Sequence, residues 1–196
     1  MSRTRAEALP PDERRAHIVA AARPLLLAHG TSATTRQIAD AAGIAEGTIF
    51  RVFDDKDAVI DAVIEEVTDV TSVIAALDAI DRALPLEPRL VAAVEVLRRR
   101  VTAVFAMASA LGPRFAAGRP GQNAERVTAR VAALAELFEP DRERLRLDPL
   151  RAARTLHGLT IASTHPLLTS DEPLPSTEIV TLLLDGLRLP SQDTSC

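Results

Sequence analysis

Between Thr34 and Phe53 the chain reads TTRQIADAAGIAEGTIFRVF, a stretch that leaves little choice of local structure. Thr34 can cap a helix with its hydroxyl, and Gln37, three residues on, can reach back to close a capping box. Ile38, Ala39 and Ala42 then give that helix a small apolar face. Gly43 falls where a helix ends in a left-handed residue, a conformation that glycine adopts without steric penalty. Ile44 plugs the turn. A second helix is predicted from about Ala45 to Phe53, with Ile49, Val52 and Phe53 facing inward. Two short helices around a glycine-containing turn are the sequence form of a helix-turn-helix.

The rest of the chain also reads as helix. Strong helix formers dominate, the 13 prolines mostly separate apolar runs, and with no Trp or Tyr any core is built from Ala, Leu, Val and Ile. A helix capped by Asp12 runs to about His29, stopped by Gly30, with Ile18, Ala22, Leu25 and Leu26 inward and a kink expected at Pro24. After the motif, Asp54 or Asp55 caps a helix carrying Val59 or Ile60, Val63, Val67, Val70 and Ile74, with a break expected at residues 69–71. Pro85-Leu86-Glu87-Pro88 marks a boundary. From Leu90 to Leu111 apolar residues recur every three or four positions, as in a bundled helix. Further helices are predicted over residues 123–138, with Val127, Val131, Leu134 and Phe138 inward, over 148–164 behind the strong start Asp148-Pro149, and from a capping Ser176 to about Arg188.

Several function classes drop out. The single cysteine, Cys196, excludes an internal disulfide framework and a cysteine metal cluster, and fits a reducing cytosol. No apolar run reaches the ~20 residues of a membrane span and no signal-peptide core follows Met1, so no membrane partner and a cytoplasmic location are expected. His17, His29, His157 and His165 form no metal-ligand spacing, and no phosphate loop or nucleophile motif is present. The chain is therefore read as no enzyme, with no cofactor. Arg98-Arg99-Arg100 reads as a partly solvated helix face. Net charge is −4; residues 1–56 carry eight basic and seven acidic groups, so charge alone does not point to nucleic acid.

The run GIAEGTIFRVFDDKDA, Gly43 to Ala58, closely resembles the TetR family of bacterial transcription regulators. That family shows glycine, an aliphatic residue, serine, any residue, Gly-Thr-aliphatic-Tyr, two variable positions, phenylalanine and then a lysine. The likeness at motif level covers Arg14 to Ile64; beyond it only the helical layout matches. It implies an all-α fold: an N-terminal helix-turn-helix head over residues 1–56, with an arm at 1–11 in which Arg3 and Arg5 either touch DNA or stay solvated. A C-terminal helical-bundle domain for ligand binding and dimerisation would follow over 57–190, and then a disordered tail at 191–196. The implied protein is a regulator, and by expectation a repressor, that binds a palindromic double-stranded DNA operator as a homodimer and is released by a small-molecule effector.

The resemblance carries DNA contacts over residue by residue. Thr34 and Thr35 would meet phosphate at a helix N-terminus. Arg36 would reach a base edge, and Glu46 would accept from a cytosine amino group. Gly47 lets the backbone come close, Thr48 bonds phosphate, Arg51 completes the face, and Lys56, the only lysine in the chain, anchors a phosphate. Ala45 stands where the family has a serine cap, Phe50 where it has tyrosine and Val52 at a frequently polar position; Leu26 and Thr31 replace aromatics. In a family-like body Leu97, Val101, Phe105, Met107 and Phe138 would wall a pocket for a largely apolar effector, although plain core packing would produce the same faces. The last two helices are apolar on more than one side. Leu156, Gly158, Leu159, Ala162, Val180, Leu183, Leu184 and Leu187 are the expected dimer surface, with a central core helix as the alternative. A helical ligand-binding or adaptor protein whose head no longer binds DNA is the rival from another class.

Overall fold

The computed structural model describes residues 10–116, 120–169 and 173–187. Arg3, Arg5, most of the expected arm and the expected tail lie outside them. The described residues form α-helices and 3-10 turns and no strand: α1 (Pro11–His29), α2 (Thr35–Ala41), α3 (Glu46–Ile49), α4 (Lys56–Thr68), α5 (Thr71–Asp78), α6 (Leu86–Leu111), α7 (Pro113–Ala116), α8 (Pro120–Ala135), α9 (Pro149–Ala162), α10 (Pro166–Thr169) and α11 (Ser176–Leu187). No described helix is long and apolar enough to cross a membrane. The chain divides into two compact units, Met1–Thr68 with Ala106–Gly118, and Asp69–Phe105 with Arg119–Cys196. The head expected over residues 1–56 falls within the first.

In the first unit α1 packs against α2 and α4, and α2 against α3. Ile18, Ala22, Leu26, Ile38, Ile49, Ile60 and Val63 are fully buried there. Each aliphatic chain removed from water contributes about 1.5–3 kcal/mol. Asp12 is not the cap of α1: the helix starts at Pro11, whose missing N–H suits a first turn, and Asp12 lies inside that turn. Gly30 closes α1 at φ 57°, ψ −142°, and a Cβ there would stand 2.5 Å from the Ala110 carbonyl oxygen. Backbone conformation and close approach both demand glycine. Asp55 caps α4 by accepting from the Ala58 N–H at 2.7 Å.

In the second unit α8 packs on α5 and α9, and α11 on α9. Leu90, Val94, Leu97, Leu134, Phe138, Leu156, Ile179, Val180 and Leu184 share one apolar core. Four sequence expectations need correction. The sixth helix begins at Leu86, four residues before Leu90, because a first turn tolerates the missing N–H of Pro88. The eighth helix starts at Pro120 and ends at Ala135, so Phe138 follows it. Val127 is 39% exposed, as are its neighbours Ala124, Glu125, Thr128 and Ala129. Ser176 does not cap α11: its hydroxyl donates to the Glu95 carboxylate and accepts from Arg98 at 3.1 Å.

Candidate nucleic-acid interface

The capping box is formed as its spacing requires. The Gln37 N–H donates to Thr34 Oγ1 at 3.2 Å, and the Thr34 N–H donates to Gln37 Oε1 at 2.8 Å. At the far end of α2, Gly43 takes φ 66°, and the Ile44 N–H closes the turn on the Ala39 carbonyl at 3.0 Å. α3 is shorter than its sequence suggests: only Glu46–Ile49 are helical, followed by a turn. Ala45 sits in the capping position with extended backbone and has no side-chain acceptor to offer. Loss of that cap costs about 1 kcal/mol. β-Branched Thr48, Ile49 and Val52 resist helix as well. Val52, expected to face inward, is half-buried, whereas Ile49 and Phe53 are buried under the pair of helices.

Three contacts fasten the segment from Thr35 to Phe53, two to α1 and one between α2 and α3. His17 of α1 bonds through Nε2 to the Ala42 carbonyl at 2.8 Å, which places a donor on the last carbonyls of α2. The Arg15 guanidinium lies over the Phe53 ring, 4.4 Å from its centroid. Thr35 Oγ1 donates to Glu46 Oε1 at 2.6 Å, tying the first residue of α2 to the first of α3. None of these partners was legible in the sequence. Arg15 and His17 read as polar positions of α1, and their targets lie 38 and 25 residues away.

The outer face then carries Thr34, Arg36, Ala45, Glu46, Gly47, Phe50 and Arg51, all exposed, with Thr35, Thr48 and Lys56 half-buried. Arg36 and Arg51 have no hydrogen-bond or ion-pair partner among the described residues. Phe50 leaves 51% of its surface in solvent. Gly47 has no atom within 4 Å of where a Cβ would stand and no positive φ, so nothing within the fold demands glycine there. Two groups expected to meet DNA are already engaged. The Thr35 hydroxyl is held by Glu46, leaving its N–H for an outside acceptor, and Lys56 Nζ donates to the Thr31 carbonyl at 2.8 Å.

The body residues fare unevenly. Leu97 and Phe138 belong to the second unit's core, Val101 is buried, and Phe105 packs edge-on against His165 with ring centroids 3.9 Å apart. Met107 is buried in the first unit instead. Of the expected dimer surface, Leu156, Val180, Leu183, Leu184 and Leu187 are covered by the chain's own core. Leu159 is half-buried, while Gly158 and Ala162 are exposed. Leu150 and Leu182, 46% and 53% exposed, are the large apolar side chains that the same two helices show to solvent.

Residues 18–63 match the family described as bacterial regulatory proteins, tetR family. No curated protein matches the chain. Among solved structures, the chain is similar to a TetR transcriptional regulator from Streptomyces coelicolor, at 25% identity and TM-score 0.58 over 90% of this chain and 99% of that one. A putative TetR-family regulator from Mesorhizobium loti is 19% identical, with TM-score 0.62 over 93% and 100% of the two chains. The reduced form of NemR from Escherichia coli is 16% identical, with TM-score 0.65 over 91% and 100%. At those lower identities the likeness speaks for the fold.

Proposed function

We propose, for a chain whose head makes it a member of the bacterial regulatory proteins of the tetR family, that its role as a transcription regulator is that of a dimeric repressor. One observation carries the reading. The capped α2, the glycine turn and α3 present Arg36, Glu46, Gly47, Phe50 and Arg51 on one exposed face, while Ile38, Ala39, Ile49 and Phe53 are buried beneath it. A second helix so supported and so exposed suits a major groove. Arg36 reads a base edge bidentately, Glu46 accepts from cytosine, and Thr34, Thr48 and Lys56 position the backbone. Thr35 contributes its amide and orients Glu46 with its hydroxyl.

The protein acts in the bacterial cytoplasm on a two-fold operator, one head per half-site. A small molecule bound in the body releases it by binding more tightly to a head arrangement that no longer fits successive grooves. Selection of bound DNA from a random pool tests this. The expected product is a palindrome whose half-site changes at one position with Arg36→Ala. A pool showing no enriched sequence, from a protein that also fails to retain DNA at low salt, would return the head to the adaptor reading.

A further inference from the structure

The three arginines at positions 98 to 100 take different fates, because successive helical residues point about 100° apart. Arg99 is exposed. Arg98 donates to Ser176 Oγ at 3.1 Å and pairs with Glu95 at 3.8 Å. Arg100 is half-buried, and its Nε is shielded from solvent without a hydrogen-bond partner. Burial lowers its pKa to about 10; Arg130 and then Arg126, both on α8, push the same way, and Asp69, the smallest of the four influences, opposes them. Asp69 is exposed and its carboxylate already accepts from the Thr71 N–H and hydroxyl. Arg130, itself held below the ordinary arginine range by burial, donates from Nε to His157 Nε2 at 3.1 Å. His157 is 7% exposed, and burial first and Arg130 second lower it to about 4. It stands in α9 as a neutral acceptor. Thr164, two residues past the end of α9, is half-buried with a shielded Oγ1 that has no hydrogen-bond partner.

Helices α6, α8 and α9 thus bring the Arg100 and Arg130 guanidinium groups and a neutral imidazole near one another, and among the described residues Asp69 is the acidic side chain that acts on Arg100. A buried charge without its counter-charge destabilises a fold by several kcal/mol. A guanidinium fork is matched in shape and charge to the paired oxygens of a carboxylate or phosphate. Val104 lies one turn beyond Arg100, half-buried, and Phe105 of the same helix packs edge-on against His165, which follows α9. We propose that Arg100 and Arg130 form an oxyanion-binding site that takes the carboxylate or phosphate head of an amphipathic organic anion, with its apolar tail along Val104 and Phe105. This deepens the effector reading above by naming the effector's chemical class: it has an apolar body but an acidic head.

The test is calorimetric titration and thermal denaturation of the full chain without DNA, so that failure here and failure of operator selection register separately. The probes are decanoate, decyl phosphate, 1-decanol and inorganic phosphate, each below its aggregation limit. Saturable binding and a raised Tm are expected with decanoate or decyl phosphate and not with decanol, and the stronger of the two anions identifies the head. Inorganic phosphate should bind weakly at the same place and compete. Arg100→Met and Arg130→Gln should each weaken the anion on the order of 10- to 100-fold, the loss of a charge-assisted hydrogen bond, while Arg99→Met leaves it unchanged. Without ligand, Arg100→Met should match or exceed the wild-type Tm, because an uncompensated charge is gone. Should Arg100→Met not fold, Arg100→Lys keeps the charge, loses the fork and should still weaken the anion. Equal responses to decanoate and decanol, no response to any anion, or equal losses from Arg99→Met and Arg100→Met would each overturn the site.

Discussion

Gly47 shows how a single residue separates what the fold requires from what a partner requires. Its Cβ position is open and its backbone is helical, so Gly47→Ala should leave the fold intact and raise stability by about 0.5–1 kcal/mol. If DNA approaches the backbone there, the same change should weaken operator binding at least tenfold in a mobility-shift titration. A variant that keeps full affinity would remove Gly47 from the interface. His157 makes a pH argument at the same scale. Its imidazole titrates near 6.5 when unfolded and near 4 when folded. Between those values the unfolded chain holds a proton that the folded chain excludes. The contribution of His157 to stability is therefore fully present above pH 6.5 and is lost as pH drops toward 4, by up to about 3 kcal/mol. Urea denaturation at pH 7 and pH 5 should show that loss in the wild type and much less of it in His157→Gln. An identical slope in the variant would assign the acid sensitivity to another group.

Helices answer to two kinds of information. α2 was legible from its residues because capping box and glycine turn are local bonds, spanning at most five residues. α3 was overestimated because periodicity continued through Phe53 while the missing cap and β-branched residues limited the helix to Glu46–Ile49. α6 carries a feature that its periodicity did not signal. Arg89, 1% exposed in its first turns, donates to the Arg82 carbonyl at 2.7 Å, the Leu84 carbonyl at 3.0 Å and the Asp141 carboxylate. It pins the loop before α6 to the 3-10 turn Glu139–Arg144. Removing the guanidinium leaves the half-buried Asp141 carboxylate with Arg144 as its remaining donor, at 3.0 Å, and two carbonyls without theirs, so Arg89→Ala should cost about 1.5–3 kcal/mol. Chemical denaturation measures it. A loss below 1 kcal/mol would mean that water replaces the guanidinium readily.

For the molecule as a whole, the expected homodimer takes a narrower form than an apolar helix pair implies. Leu183 is 5% exposed within one chain, so Leu183→Glu should unfold the second unit rather than separate subunits. Gly158, Ala162, Leu182 and Gly186 are exposed on α9 and α11, and the two glycines have open space at the Cβ position. Gly158→Glu and Leu182→Glu should therefore give folded monomers in sedimentation velocity, with wild-type helicity. A wild type that sediments as a monomer at micromolar concentration would remove the interface altogether. The amino-acid sequence by itself determined the all-helical class, the capped helix-turn-helix and the family likeness of the head. Those follow from hydrogen bonds and side-chain periods between residues a turn or two apart. Only the tertiary structure decided which side of each apolar helix is already covered, that Arg89 and Arg100 turn inward while Arg99 does not, and that Thr35 holds Glu46. Burial and pairing of that kind depend on elements far apart in the chain, and no local pattern records which neighbour will arrive.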